Sequence, residues 1–311
     1  MNTPLLIDGT VRLNHWGVIR ARGTDAVKFL QGQLTNDVAT LDSSRARLAG
    51  FCSAKGRLQA SFIVWKLASD DLLLACSASV LPATLKRLSM FVLRAQCKLT
   101  DASAELSLWG AVGDSARAAM ADTPVWGTRE VTGGTLLRLS DVDGQPRCMI
   151  AVSPNAFIAT TPAIAADAWR TLEVRSGIPL IEAATVEQFV PQMLNYELIG
   201  GVDFQKGCYP GQEIVARSHY RGTIKRRMFL FECDAFASAG QEVFHSGDAA
   251  QPAGMVVNAA APADGSGSSA LVEVKLAALD GGSLHLGAAD GAVLRLVALP
   301  YAVPMDAAAP A

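Results

Sequence analysis

The chain has 311 residues, enough for two or three domains each with its own core. Half of the residues are hydrophobic and only 18% are charged, which excludes a disordered chain. The formal net charge of -2 gives no general attraction to phosphate backbones, so DNA is not an expected partner and RNA contact needs a local basic patch.

The first predicted element is a strand at Trp16, Val18 and Ile19, ended by Gly23. Thr24 or Asp25 then caps a helix with apolar positions Val27, Leu30 and Leu34. Phe51 to Ser53 and Leu58 to Leu67 read as strands around the turn Ala54-Lys55-Gly56, and Leu72 to Cys76 as a third. Pro82 suits the first turn of a helix carrying Leu85, Leu88, Phe91 and Val92 on one side. Strands follow at Lys98 to Thr100 and Cys148 to Val152. A helix runs from about Ile164 to Ser176 and stops at Gly177 and Pro179.

The pattern changes after about residue 222. Short strand candidates at Arg227–Cys233, Glu242–His245, Gly254–Ala259, Ser269–Ala278, Ser283–Leu286 and Ala292–Ala298 are separated by Gly, Asp and Ser turns, without a helix-period run. They predict a small β-barrel behind an α+β body.

Met1 to Gly9 lacks a basic n-region followed by an apolar run, and no uncharged apolar stretch reaches about 18 residues. The expectation is a cytoplasmic protein with no signal peptide and no membrane partner. The six cysteines show no CxxC pair and no Cys/His ligand spacing, so no metal site is expected and most cysteines read as small buried hydrophobes.

One stretch stands apart: Lys206-Gly207-Cys208-Tyr209-Pro210-Gly211-Gln212-Glu213. Two glycines and a proline within it make a constrained turn, and Gln212 opens a helix. A cysteine before a helix N-terminus, beside Lys206 and near Arg217, is in a setting that favours thiolate. An inert cysteine in a structural turn fits the same residues. Behind it, Arg217, His219, Arg221, Lys225, Arg226 and Arg227 fall within eleven residues free of acid. Arg217, Arg221 and Lys225 are candidate contacts for an anion such as a polyglutamate tail, a phosphate or RNA. A solvated edge between the two regions is the alternative. Trp16 and Trp169 have rings able to stack on a heteroaromatic ligand, although Trp169 also fits a helix-core stripe with Ala165 and Leu172.

Together these segments resemble the YgfZ family, folate-binding proteins related to the glycine-cleavage aminomethyltransferase. Lys206 to Glu213 is similar to that family's K-G-C-Y-x-G-Q-E signature. Phe29-Leu-Gln-Gly-Gln-Leu-Thr-Asn-Asp37, Ala54-Lys55-Gly56-Arg57, Gly177-Ile-Pro179 and the run from Pro191 to Asp203-Phe204 match the wider superfamily. The resemblance implies a three-domain α+β aminomethyltransferase-like fold with a C-terminal small β-barrel. The expected domains are 1–48 plus about 104–221 for folate binding, about 49–103 inserted, and 222–311 as the barrel. It implies tetrahydrofolate or a one-carbon derivative as cofactor, contacts from Trp16 and Trp169, and Cys208 as the functional thiol. Lys206, Gly207, Tyr209, Gly211, Gln212 and Glu213 shape the thiol's site. It also implies a part in tRNA modification through iron–sulfur enzymes or their assembly factors, with direct tRNA contact as an open alternative.

Two departures matter. Aminomethyltransferases carry a catalytic aspartate after the strand matching Leu72–Cys76, and Ser77 to Leu85 contains no acid. That argues against folate-dependent one-carbon transfer, the first alternative. A non-catalytic RNA or protein adaptor is the second. The superfamily's pterin-binding glutamate position falls on Arg175, with Glu173 two residues earlier. This implies either that the pterin is held differently or that folate affinity is reduced.

Overall fold

Alternating apolar faces on a central five-stranded sheet generate the layers of the body. The computed structural model describes residues 7–156, 161–220, 224–261 and 265–305, with the side chains of 219 and 220 left aside. In chain order the elements are β1 (Gly9–Arg12), β2 (Trp16–Arg22), α1 (Ala26–Gln31), β3 (Ala46–Cys52), β4 (Leu58–Ala68), β5 (Asp71–Ser77), α2 (Leu81–Ser89) and β6 (Lys98–Asp101). Then come β7 (Ser107–Val112), α3 (Asp114–Met120), β8 (Thr128–Val131), β9 (Gly134–Arg138), β10 (Arg147–Val152), α4 (Ala166–Arg175) and α5 (Gln212–Tyr220). The last set is β11 (Arg226–Cys233), β12 (Glu242–His245), β13 (Gly254–Ala260), β14 (Ser268–Lys275), β15 (Leu284–Leu286) and β16 (Val293–Val297).

The central sheet has the order β3-β4-β5-β2-β6. Its middle strand β5 is buried along its whole length, because side chains of period two meet a core on each face. Leu73 and Ala75 join Trp65, Val18 and the inner face of a second sheet, β1-β7-β10-β9-β8. Leu72, Leu74 and Cys76 point the other way, onto Phe29 and Leu30 of α1 and Leu81 and Leu88 of α2. The outer face of the second sheet is covered by Ala116 and Met120 of α3. The body is therefore a helix–sheet–sheet–helix stack. The barrel closes in the order β11-β14-β13-β12-β15-β16, as the sequence pattern predicts. Helix α4 joins the two units: Trp169 and Leu172 enter the inter-sheet core, while Val174 packs with Met228, Leu230 and Leu271 of the barrel.

Strand pairing divides the body differently from the expected boundary at residue 48. That boundary falls inside β3, which is paired with β4 from Ala46 to Cys52. β2 lies between β5 and β6, so the central sheet spans Trp16 to Asp101 and only β1, of the strands before it, belongs to the second sheet. Helix α2 stops at Ser89, and Phe91 is 41% exposed rather than on the buried side. Its core stripe is Leu81, Thr84 and Leu88, after which the chain leaves the helix to reach β6, and Phe91 takes the Arg87 guanidinium over its ring instead. Asp25 does not cap α1 with its side chain; its carboxylate accepts the Gln96 N–H. Among the described residues no helix is long and apolar enough to cross a membrane.

Candidate functional site

The segment before the signature is fixed by side chains of the Phe29–Asp37 motif. Thr35 Oγ1 donates to the Gly201 carbonyl at 2.6 Å and accepts the Gly50 N–H at 2.7 Å. Asn36 Nδ2 donates to the carbonyls of Leu48 and Gly200, each at 2.6 Å. β3 and the loop entering the signature are thus held through one buried pair of polar residues. Asp203 then accepts the N–H groups of Gln205 and Lys206 and turns the chain into the signature.

Within the signature, Lys206 and Gly211 act as anchors and Cys208 is left at the surface. The Lys206 ammonium donates to the Leu34 carbonyl at 2.6 Å and to the Gln31 carbonyl at the end of α1, a favourable place for a cation. It also lies 5.0 Å from the centre of the buried Tyr209 ring. Burial lowers its pKa to about 8, against the pull of Asp37, Asp203 and Cys208. Lys206 therefore fastens the loop, a task its place beside the cysteine in sequence does not reveal. Gly211 has φ of +78°, and a Cβ there would lie 2.4 Å from the Ser53 carbonyl oxygen and 2.6 Å from the Gly56 nitrogen. The signature thus packs backbone to backbone on the Ala54–Arg57 turn. Gln212, half-buried, and Glu213, exposed, begin α5. Gly207 and Cys208 are exposed. Of the other five cysteines four are buried and Cys97 is half-buried. Burial pushes the thiols of Cys52, Cys76 and Cys148 up to about 12, which makes them inert.

A second centre forms around Glu173. Trp16 Nε1 and Trp169 Nε1 both donate to Oε1, at 2.7 and 2.8 Å, and His15 Nε2 lies 2.7 Å from Oε2. Burial works to raise this carboxyl's pKa. The hydrogen bonds from His15 and Trp16, with the charges of His15 and Arg170, outweigh burial and hold it below the ordinary value. Trp169 is wholly buried against Gly110, where a Cβ would come within 2.7 Å of its ring, and the Arg147 guanidinium stands 5.8 Å from the ring centre. Trp16 is half-buried and lines a cavity of about 290 Å³ together with Arg12, Asn14, Leu81, Asp101 and Ser103. No acid follows β5; Ala78 lines that same cavity, and Asp101 brings a carboxylate to it from β6. On the barrel side, Glu173 borders a void of about 20 Å³ with Arg170, Leu180 and Asn258.

The two centres sit at one end of the central sheet. Trp16 pairs with Ser77, the β4–β5 register carries that row to Ser61, and Ser61 pairs with Gly50. Three strand spacings separate Trp16 from Gly50, about 14 Å. Ser61 Oγ accepts the Ile181 N–H at 2.9 Å, so the chain leaving α4 crosses this row.

Arg175 is directed elsewhere. Residues two apart on a helix are about 200° apart around its axis, and Arg175 binds Asp143 at 2.6 Å and Glu232 of β11 at 3.0 Å. It links body to barrel, while the acid of the Trp16–Trp169 centre is Glu173. The basic run is divided as well: Arg226 pairs with Glu273, and buried Arg227 pairs with Glu197. Arg217 and Lys225 remain exposed, and Arg221 lies outside the described residues.

The GCVT N-terminal domain model matches residues 9–131. "tRNA-modifying protein YgfZ" of Sodalis glossinidius (strain morsitans) is 30% identical over 94% of this chain and 93% of its own length. The protein of the same name from Colwellia psychrerythraea is 34% identical over 70% of each. The crystal structure of glycine cleavage system aminomethyltransferase T from Bartonella henselae shares the fold with a TM-score of 0.73 at 18% identity, over 95% of this chain and 86% of that one.

Proposed function

This chain belongs to the YgfZ family, and from that premise we propose that it is a tetrahydrofolate-binding accessory protein. It acts in tRNA modification through the maturation or repair of iron–sulfur enzymes, with Cys208 as its working thiol. The observation that carries this reading is the exposure of Cys208 alone among six cysteines, on a loop clamped by Lys206 at one end and Gly211 at the other. A thiol that needed only to fill space would be buried like Cys52 or Cys76.

The residues fit a reduced folate. Glu173, held ionised by its donors, has acceptor capacity left on Oε2 for the N–H groups of a pterin. Trp16 and the 290 Å³ cavity offer an aromatic wall of the size such a ring needs. Trp16 is the tryptophan that meets the ligand; Trp169 holds Glu173 in place. When bound, the folate supplies a one-carbon group or a reduced ring. The chain orients that ring through Trp16, whose indole N–H is held by Glu173, and presents the thiol from the same end of the sheet. Arg217 and Lys225, both exposed, are the cations assigned in this reading to an anionic tail. One-carbon transfer remains the alternative, with Asp101 as the carboxylate at the cavity.

Complementation of a strain lacking this protein tests the reading, with thiolated tRNA as the measured product. Cys208→Ala should abolish it while thermal melting stays within a degree or two of the parent, since an exposed side chain is changed. Full complementation by Cys208→Ala would remove the thiol from the function.

A further inference from the structure

Helix α2 ends in a surface patch that neither the Trp16 centre nor the Cys208 loop uses. Met90, Phe91 and Leu93 are 61%, 41% and 86% exposed, three large apolar side chains within four residues. Contiguous apolar surface of this kind marks an interaction site more often than a scattered leucine does. The last turn of α2 sets cations among them. The Met90 N–H donates to the Lys86 carbonyl, the Phe91 N–H to that of Leu88, and the Arg87 guanidinium stands 5.5 Å from the Phe91 ring centre. Lys86, Arg87 and Arg94 are exposed, and residues 72–100 contain no Asp or Glu. The acids around this stretch are engaged elsewhere: Asp71 with Arg20 and Arg22, Asp101 with the Ser103 N–H, and Asp25 with the Gln96 N–H.

We propose that this patch docks a segment of a partner protein that carries carboxylates beside aliphatic side chains. Met, Phe and Arg are the side chains enriched at protein interfaces. Met90 and Leu93 call for an apolar counterpart, which a phosphate backbone lacks. The Phe91 ring already carries the Arg87 guanidinium, a charge that would be drawn into hydrocarbon if the ring entered a bilayer. A second copy related by a two-fold axis would set this cationic surface against itself. An acidic, apolar segment satisfies both halves of the patch. The Asp25 N–H donates to the Gln96 carbonyl, which places the segment after α2 over the turn that ends β2. Six residue steps of β2, from Trp16 to Arg22, span about 20 Å. A partner docked here therefore leaves the Trp16 cavity and Cys208 open, and the inference stands apart from the folate reading.

Benzoylphenylalanine in place of Leu93 in the full chain, irradiated in living cells of the complementation strain, tests this, with the cross-linked peptide sequenced by mass spectrometry. The expected product is a protein adduct joined at a peptide rich in Asp, Glu and aliphatic residues. Arg87→Glu together with Arg94→Glu should cut its yield at least about tenfold. Melting temperature and iodoacetamide labelling of Cys208 should stay as in the parent. Replacing the partner's acids with lysine should then restore the adduct to the charge-reversed chain. No adduct, an adduct only with a second copy, a cross-linked peptide without acids, or a yield indifferent to the charge swap overturns the proposal. Binding of the purified chain to tRNA or to phosphatidylglycerol vesicles that is lost on Leu93→Asp would give the patch to RNA or to a membrane and equally overturn it. Should the double variant not fold, Arg94→Glu alone serves the same comparisons, since its side chain is exposed.

Discussion

At the level of single residues, Glu173 and Cys208 stand at the two centres, and only Cys208 is marked by its local sequence as a working residue. Cys208 lies in a dense local motif. Glu173 lies four residues after Trp169, a spacing that places both on one helix face, but a tryptophan on a helix stripe reads first as core. His15 and Trp16, which complete the centre, come from 158 and 157 residues away. Glu173→Gln should cost about 1–3 kcal/mol at neutral pH, because it turns an amide N–H toward existing donors. Its carboxyl pKa is lowered from 4.5 in the folded protein. Its contribution is therefore complete above that value and is lost as pH falls through the depressed folded pKa. Denaturant unfolding of parent and variant should give a gap that closes on acidification; a gap constant down to pH 3 would contradict the assigned hydrogen bonds. In the native protein, iodoacetamide should label Cys208 first and leave Cys52, Cys76 and Cys148 unmodified until unfolding, as read by mass spectrometry.

Among the elements, the signature contains two glycines with opposite requirements. Gly211, at φ of +78° and against the Ser53 carbonyl, has no room for a methyl group, whereas Gly207 has nothing within 4 Å of where one would go. Gly211→Ala should cost at least about 2 kcal/mol, and Gly207→Ala should stay within about 0.5 kcal/mol. Chemical denaturation of both variants decides, and equal costs would refute the backbone packing on Gly56. Strands with long apolar runs, such as β4 and β5, were legible because two cores face them. β7 was not: Ser107-Leu-Trp-Gly-Ala-Val112 is broken by Gly110, whose small size admits the Trp169 ring. β1 and β8 are four residues long, and α3 seven, too short for a periodicity to show. α2 was carried through Val92, three residues past its end at Ser89, because Phe91 and Val92 continue its apolar period while the chain itself turns toward β6.

For the whole molecule, the barrel and the α+β body were readable from the change in element type near residue 222, but the internal division of the body was not. Pairings such as β1 with β7 and β2 with β5 join segments distant in sequence, and no local signal marks which sheet a strand enters. Arg175 belongs at this scale, since it spans Asp143 of the body and Glu232 of the barrel. Arg175→Ala should lower stability by about 1 kcal/mol, as for a partly exposed ion pair, and speed limited proteolysis between the units. Folate affinity should not change; a large loss would return Arg175 to the pterin site. The central claim, a folate site organised on Glu173, is tested most directly by titrating the purified, reduced protein and its Glu173→Ala variant with tetrahydrofolate in a calorimeter. One-to-one binding of micromolar strength or better, abolished in the variant, is the expected result. No binding to the parent protein, or equal binding to both, would contradict it.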